Sequence, residues 1–384
     1  MQIPERADVV IVGAGPAGLT AACVLQAAGA RILTVDAAEA GANTSRAAVI
    51  HARTLEVLDT IGVTGRLLAD GVVVPVFTVR DQSKTLARLD FSNLPTRYPF
   101  TLMLPQWRTE QILAHRLAEL GGHVDRRCTV TDVRTTRDGA SVTVVGSDGQ
   151  TRDVAARFVI GADGMHSVVR DAVGIGFEGG SYAQSFVLAD VRLAWPLPGD
   201  EVQLFFSPSG LVVVAPLPGG HHRIVATVDD AAETPTAEDI QALLGTRGPG
   251  DAQVEEVAWS SRFRVQHRLA TSYRKGPVFL VGDAAHVHSP AGGQGMNTGI
   301  QDATDLGDLL SRVIADGLPE PRLDGYQIRR RPVAQKVVSL TDRMTRMATL
   351  QAPGARLARN LAINLLLRNP ALSRSLAKRI AELQ

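Results

Sequence analysis

The chain opens on a pattern that leaves few folds available. Residues 7–12 form an almost continuous β-branched run that leads straight into Gly13-Ala14-Gly15-Pro16-Ala17-Gly18, and residues 19–28 then read as an Ala/Leu-rich helix stopped by Gly29. A strand apolar at nearly every position suits the middle of a parallel sheet, buried on both faces. The glycines permit a tight turn and close backbone approach to a ligand, and the helix start offers free N–H groups and a partial positive charge to a pyrophosphate. A second strand, 31–35, ends in Asp36, 21 residues after Gly15, where an acid meets a ribose hydroxyl. This predicts a doubly wound α/β sheet that binds a dinucleotide, and by itself does not separate NAD from FAD.

Two later segments repeat the form. Residues 157–170, RFVIGADGMHSVVR, are a buried strand that ends in Gly-Ala-Asp-Gly and enters a helix start bearing an arginine. Residues 277–286, PVFLVGDAAH, are another strand ending in Gly-Asp, followed by Pro290, the run Gly292-Gly293-Gln294-Gly295-Met296-Asn297 and a helix. An aspartate at the carboxyl end of a parallel strand lies where α/β sheets bind ligands. Many of the 36 glycines, among them Gly13, Gly15, Gly18, Gly161, Gly164, Gly282, Gly292, Gly293, Gly295 and Gly299, thus gather at strand ends and helix starts.

Composition narrows the class. Forty basic and 39 acidic side chains leave a net charge of +1, without the basic excess of a nucleic-acid binder. With 45% hydrophobic residues the chain has enough apolar matter for real cores. No apolar run approaches a membrane span, and residues 1–13 lack a signal-peptide pattern, so a cytoplasmic location is expected. Cys23 and Cys128 read as small core residues. His286 and His288 have no third metal ligand at sensible spacing, and no metal is expected.

Taken in order, the Gly13-x-Gly15-x-x-Gly18 turn, the Asp163-Gly164 segment and Gly282-Asp283 with its Pro290 and glycine-rich tail resemble the group A flavoprotein monooxygenases, the aromatic hydroxylases with the p-hydroxybenzoate hydroxylase fold. Residues 90–96 and 104–110 look like the linker into the second stretch of that family's flavin domain. The resemblance implies a glutathione reductase-like Rossmann domain for FAD, an inserted antiparallel-sheet substrate domain and C-terminal helices. The expected boundaries are 1–75, 98–175 and 273–384 for the flavin domain with its helices, and 76–97 and 176–272 for the substrate domain. Residues 87 in number follow Asn297, too few for the thioredoxin-like domain of polyketide-tailoring relatives, which is expected to be missing.

By the same resemblance, Gly13, Gly15, Pro16, Ala17, Gly18 and Asp36 hold the ADP half of FAD, with Asp36 standing where the family more often has glutamate. Arg46 lies over the pyrophosphate, Gln106 contacts the flavin chain, and Asp283 bonds the ribityl hydroxyls. Pro290, Gly293 and the amides of Gly295, Met296 and Asn297 border the flavin ring. Asp163 serves FAD and a transient nicotinamide, with Arg46, His166 and Arg170 beside it. With no second Gly-x-Gly-x-x-Gly in strand context, NADPH or NADH is expected as a visiting co-substrate. The implied cycle runs through O2 and a flavin C4a-hydroperoxide that hydroxylates an electron-rich ring; no acid or base residue is assigned.

Residues 176–272 carry no cofactor motif and read as strands at 186–193, 202–206, 211–216 and 222–228 of an antiparallel sheet. The substrate is expected between this sheet and the flavin near Pro290, with Gln203, Phe205, Val213 and Pro216 as wall candidates that a one-residue register error would displace. Four lysines against 36 arginines suggest a GC-rich genome and secondary metabolism, hence a polyketide-like phenol, with simple phenolic acids next to it. The basic stretch 356–379 alternates with apolar residues at helical spacing, as a solvated amphipathic helix on the flavin domain does. A flavin dehydrogenase or reductase of the same fold, and a non-catalytic aromatic-binding flavoprotein, stay open as alternatives.

Overall fold

In the computed structural model, residues 3–41, 47–82, 84–348, 350 and 352–383 are described, and they form three sheets. The N-terminal strand Arg6–Val12, apolar and buried from Val9 on, sits centrally in the first, with Thr151–Gly161 and Ile32–Asp36 as parallel neighbours on its two sides. Val278–Leu280 lies parallel beyond the former and Asp125–Arg126 beyond the latter. Gly139–Val145 and Thr129–Thr136 continue the sheet as an antiparallel meander. The carboxyl ends of the parallel strands, which carry Val12, Asp36, Gly161 and Leu280, thus point to one edge.

Helix Pro16–Ala27 starts with proline at its first turn, where a missing N–H costs nothing. It is buried from Gly18 to Leu25 because the sheet covers one side and helix Gly295–Ala315 the other. Leu19 and Leu25 are fully buried, worth about 1.5–3 kcal/mol each. The two helices approach so closely that a Cβ on Gly307 would come within 2.8 Å of Val24.

The second sheet runs, in order, His286–Val287, Gln253–Ala270, Phe177–Ala194, His221–Val228, Gly210–Leu217, Glu201–Ser207, Val76–Asp81 and Lys84–Asp90. All four expected strands are present within longer ones, and one pairing differs from expectation: Glu201–Ser207 and Val76–Asp81 are parallel. Its outer face, with Val187, Val212, Val214 and Ile224, is closed by helix Ala237–Arg247 through Ile240 and Leu244. The signal for that helix was local, a capping box in which Thr236 and Asp239 exchange hydrogen bonds. The inner face, with Val202, Ala215 and Leu217, merges into the core of the first sheet. A small sheet of Val49–Ile50, Thr101–Met103 and Val72–Val74 lies between the two.

Helix Asp324–Ala348 follows, with Pro332 inside it, and then helices Pro353–Arg368 and Pro370–Ile380. The first of this last pair corrects the expectation of a solvated helix on the flavin domain. It lies against the edge strand Lys84–Asp90 of the second sheet, where Asn360 donates to Asp81 (2.6 Å) and Asn364 to the Leu86 carbonyl (2.9 Å). It covers an edge that would otherwise present unpaired backbone groups. Its outward side is apolar: Leu357, Leu361, Leu365 and Leu366 are exposed. No helix among the described residues is long and apolar enough to cross a membrane.

Candidate functional site

The glycine turn sits at the carboxyl edge of the first sheet. Gly13 has φ +100°, and a Cβ there would fall inside the Ala162 carbonyl; a Cβ on Gly18 would fall inside that of Gly13. These two glycines are demanded by the protein's own backbone. A Cβ on Gly15, in contrast, would meet nothing within 4 Å, so the turn is open on the side where a diphosphate would lie. Asp36 stands over the turn, accepting from the Ala14 N–H (2.6 Å) and the Ala38 N–H (2.7 Å), with the Arg126 guanidinium 3.6 Å away. The shorter acid in place of glutamate is therefore fixed over the turn by backbone amides.

Gly282, with φ +59°, lets the chain turn sharply after Val278–Leu280 and brings exposed Asp283 to the same edge. A Cβ on Gly282 would be 3.2 Å from that of Ala17, and one on Gly299 would be 3.0 Å from Gly282. The first and last glycine clusters of the sequence are thus wedged together. Asp163 lies beside them and is partly buried; its carboxylate accepts from the Ser167 hydroxyl (2.5 Å) and the Val169 N–H (3.1 Å), tying down the helix Val168–Ala172. Burial raises its pKa above the ordinary carboxylate value, against the hydrogen bonds from Ser167 and Val169.

The expected nicotinamide contacts divide. His166 is exposed beside Asp163. Arg170 is 5% exposed: its guanidinium donates to the Met165 carbonyl (3.0 Å) and the Ala284 carbonyl (3.3 Å) and lies 4.1 Å over the Phe177 ring. It braces the Asp163 and Asp283 turns against each other. Arg46 lies outside the described residues. Gln106 opens helix Gln106–Glu119, donates through its backbone to the Ala47 carbonyl (3.0 Å) and through its side chain to Glu110 (2.8 Å).

The loop from Pro290 to Asn297 starts the long helix Gly295–Ala315, whose first N–H groups have no partner within the helix and no side-chain cap from Gln294. Gly295 and Met296 are partly exposed, whereas Asn297 is fully buried. The Asn297 side chain donates to the Val49 carbonyl (2.8 Å) and the Gly293 carbonyl (2.7 Å) and accepts from the His51 N–H (2.8 Å). It holds the loop shut on itself and leaves ring contact to the backbone. His51, which sequence reasoning missed, is fully buried: its Nε2 is 2.8 Å from the Gly292 carbonyl and 3.1 Å from the Gln294 amide. Burial pushes its imidazole down to about 4, so it is neutral at ordinary pH. Nothing in the local sequence marked it, because the partners are more than 240 residues away.

His286 and His288 have structural partners. His286 Nε2 is 2.7 Å from Asp302, whose other oxygen accepts from Arg330 at 2.5 Å, all in the interior. His288 Nδ1 is 3.0 Å from the Ser289 carbonyl. Among the described residues no three His, Cys, Asp or Glu side chains are gathered as a metal ion requires.

Pro290 is partly exposed at the start of the loop, and the inner face of the second sheet is the one that packs toward the first. Three of the four wall candidates are not on that face. Phe205 belongs to the outer core under helix Ala237–Arg247, and Gln203, two residues before it, shares its side and bonds Glu201 and Arg80. Pro216 alternates with Val212 and Val214, again outward. Val213, with Ala215 and Leu217, faces the first sheet. The cause is the period-2 pleat together with two buried faces, which makes apolar residues equally abundant on both. The inner face also holds a pair missed from sequence: Arg223 makes two 2.7 Å bonds to Asp190 and donates to the Ala47 carbonyl at 2.8 Å, with its side chain 4% exposed. It links the second sheet to the segment just after residue 46.

The residues fit FAD: an open glycine turn with an acid fixed over it, a second strand-end acid and a partly exposed glycine-rich helix start. Residues 6–341 match the family described as FAD binding domain. A 6-methylpretetramide 4-monooxygenase of Streptomyces rimosus is 38% identical over 387 aligned residues, which span 98% of this chain and 69% of that protein. The p-nitrophenol 4-monooxygenase PnpA of Pseudomonas putida DLL-E4 superposes with a TM-score of 0.89 at 26% identity, covering 99% of both chains. The Diels-Alderase PyrE3 from pyrroindomycin biosynthesis superposes with a TM-score of 0.82 at 27% identity, over 99% of this chain and 81% of that one. With motif order, strand-end geometry and these likenesses in agreement, the chain belongs to the FAD-binding family of aromatic-hydroxylase flavoprotein monooxygenases.

Proposed function

We propose that the protein hydroxylates a polycyclic, polyketide-like phenol, taking electrons from NADPH or NADH and oxygen from O2. What supports this is the apolar inner sheet face, with Val213, Ala215 and Leu217 packed toward the core of the first sheet, together with the partly exposed glycine-rich start of helix Gly295–Ala315. An extended apolar wall on one side and backbone donors on the other suit a flat aromatic molecule stacked along a flavin. The relative named for a pretetramide supports the polycyclic choice. When bound, FAD supplies the oxygen-activating chemistry; the chain's share is to bind, orient and keep water out.

In this reading Gly13, Gly15, Pro16, Ala17 and Gly18 cradle the diphosphate, Asp36 takes the ribose, and Asp283 the ribityl chain. Arg46 and Gln106 flank the diphosphate, and Asp163 with His166 borders the visiting nicotinamide, while Arg170 is a brace. Gly293, Gly295, Met296 and Asn297 present backbone to the pyrimidine edge, where the helix start favours negative charge. Residues 76–97 and 176–272 act as one substrate domain inserted into the flavin domain.

The purified protein is expected to be yellow, and a polycyclic phenol to stimulate NADPH oxidation with one atom of 18O2 appearing in product. Stimulated oxidation with no labelled product would sink hydroxylation. A second reading, flavin-fold catalysis without oxygen transfer, is favoured by the likeness to the Diels-Alderase. It predicts a product isomeric with its substrate and no NADPH consumption.

A further inference from the structure

The Pro290–Asn297 loop is closed from behind by a part of the chain far from it in sequence. Helix Pro370–Ile380 ends in a turn that reaches into the flavin domain, with Ala377 and Ala381 fully buried. The Ile380 carbonyl accepts from the Gln294 side chain (3.0 Å), the same side chain that touches His51 and the Gly292 carbonyl. The Ala381 carbonyl accepts from the Arg53 N–H at 3.2 Å, two residues after His51. Glu382 follows in the left-handed region at φ +59°, a conformation that disfavours a side chain of its kind. Its carboxylate accepts from the Thr298 hydroxyl (3.2 Å), from the Gln301 amide, and from the Thr54 hydroxyl (3.5 Å).

We propose that the turn 380–383 is a latch, pinned by Glu382, that positions the flavin-facing loop by holding Gln294, Thr298 and Gln301 at the start of its helix. Strained backbone at a non-glycine residue persists only when its surroundings over-determine it. Here the surroundings are three side-chain donors to Glu382, from Thr54, Thr298 and Gln301, and two bonds to the preceding carbonyls, from the Gln294 side chain and the Arg53 N–H; Gln294, Thr298 and Gln301 belong to the loop and its helix. Glu382 thus acts through the loop and is a positioning residue.

The charged groups around it make the latch sensitive to pH. Arg330 and Asp302 face Glu382 from the long C-terminal helices, the neutral His51 lies beyond Gln294, and Lys378 and Arg379 are on its own helix. Burial, the largest cause, holds the carboxyl up at about 7 against the attraction of Arg330. A docked Glu382 therefore keeps a proton that a released one gives up, and docking weakens as pH rises from about 4.5 to 7.

This inference rests on the loop bordering FAD, and the test separates the two. In the flavin-free full-length protein, amide exchange of residues 292–299 is compared between wild type, E382A and E382Q, with residues 6–12 as an internal reference; FAD affinity is then titrated at pH 6 and pH 8. E382A is expected to speed exchange at 292–299 and not at 6–12, and to weaken FAD binding about tenfold. Wild type is expected to bind FAD less tightly at pH 8 than at pH 6, and E382Q, which cannot ionise, to bind equally at both. Equal acceleration of both regions, or unchanged exchange and affinity in E382A, overturns the latch. Should E382A be insoluble, the pH arm decides: the same pH dependence in E382Q as in wild type overturns it. Failure of wild type to bind FAD at either pH would instead overturn the cofactor assignment, leaving the exchange comparison standing.

Discussion

At the scale of single residues, the site is built by positions where the backbone itself forbids a side chain and by buried polar groups that hold loops in place. Gly18 is the clearest of the first kind, since any Cβ there collides with the Gly13 carbonyl. Gly18→Ala is expected to cost at least about 2 kcal/mol and to abolish FAD binding, read by thermal unfolding and flavin fluorescence. His51 is of the second kind. Its imidazole titrates near 4 when folded against an ordinary value of 6.5, so the unfolded chain binds the extra proton. Stability therefore falls as pH drops through that window. His51→Asn, compared with wild type at pH 7 and pH 5, should lose less stability on acidification; equal losses would show that His51 does not titrate in this way. The glycines were legible in the sequence because their spacing is local. His51 was not, because its partners Gly292 and Gln294 come from the other end of the chain.

Secondary-structure elements decide which side chains turn toward the first sheet and which away from it. A strand between two cores gives no alternation from which to read a face, and so Gln203, Phe205 and Pro216 pointed outward while Val213 pointed inward. Two substitutions separate these faces. Phe205→Ala should cost about 3–5 kcal/mol of stability with KM for the aromatic substrate unchanged. Val213→Trp should leave stability within about 1–3 kcal/mol and alter KM, because the bulk is added to the inner face. A KM change in the first and none in the second would reverse the assignment. The helix Pro353–Arg368 teaches the same lesson: its basic and apolar periodicity was visible, but only the fold showed that it caps a sheet edge and turns leucines outward.

For the whole molecule, the important contacts join segments that the inserted sheet separates. Arg170 ties the Asp163 turn to the Asp283 turn, and Arg223 with Asp190 ties the second sheet to Ala47 beside the diphosphate position. Removing Arg223 leaves Asp190 without its bidentate partner in a largely buried place. Arg223→Ala is expected to destabilise by about 3 kcal/mol and to weaken FAD binding, with Arg223→Lys restoring only part because an ammonium cannot match both carboxylate oxygens. Full recovery in the lysine variant, measured by thermal unfolding with and without FAD, would show that charge alone matters there.

The sequence by itself determined the cofactor class and the nucleotide-binding half of the site, because a turn that approaches a diphosphate needs glycines at fixed local spacing next to a strand and a helix. It determined the antiparallel middle as well, through its turns. Only the tertiary structure decided which sheet face turns toward the first sheet, which arginine is a buried brace, and which distant residues hold the Pro290–Asn297 loop. Those are contacts between segments hundreds of residues apart, and they depend on register and burial that no local pattern encodes.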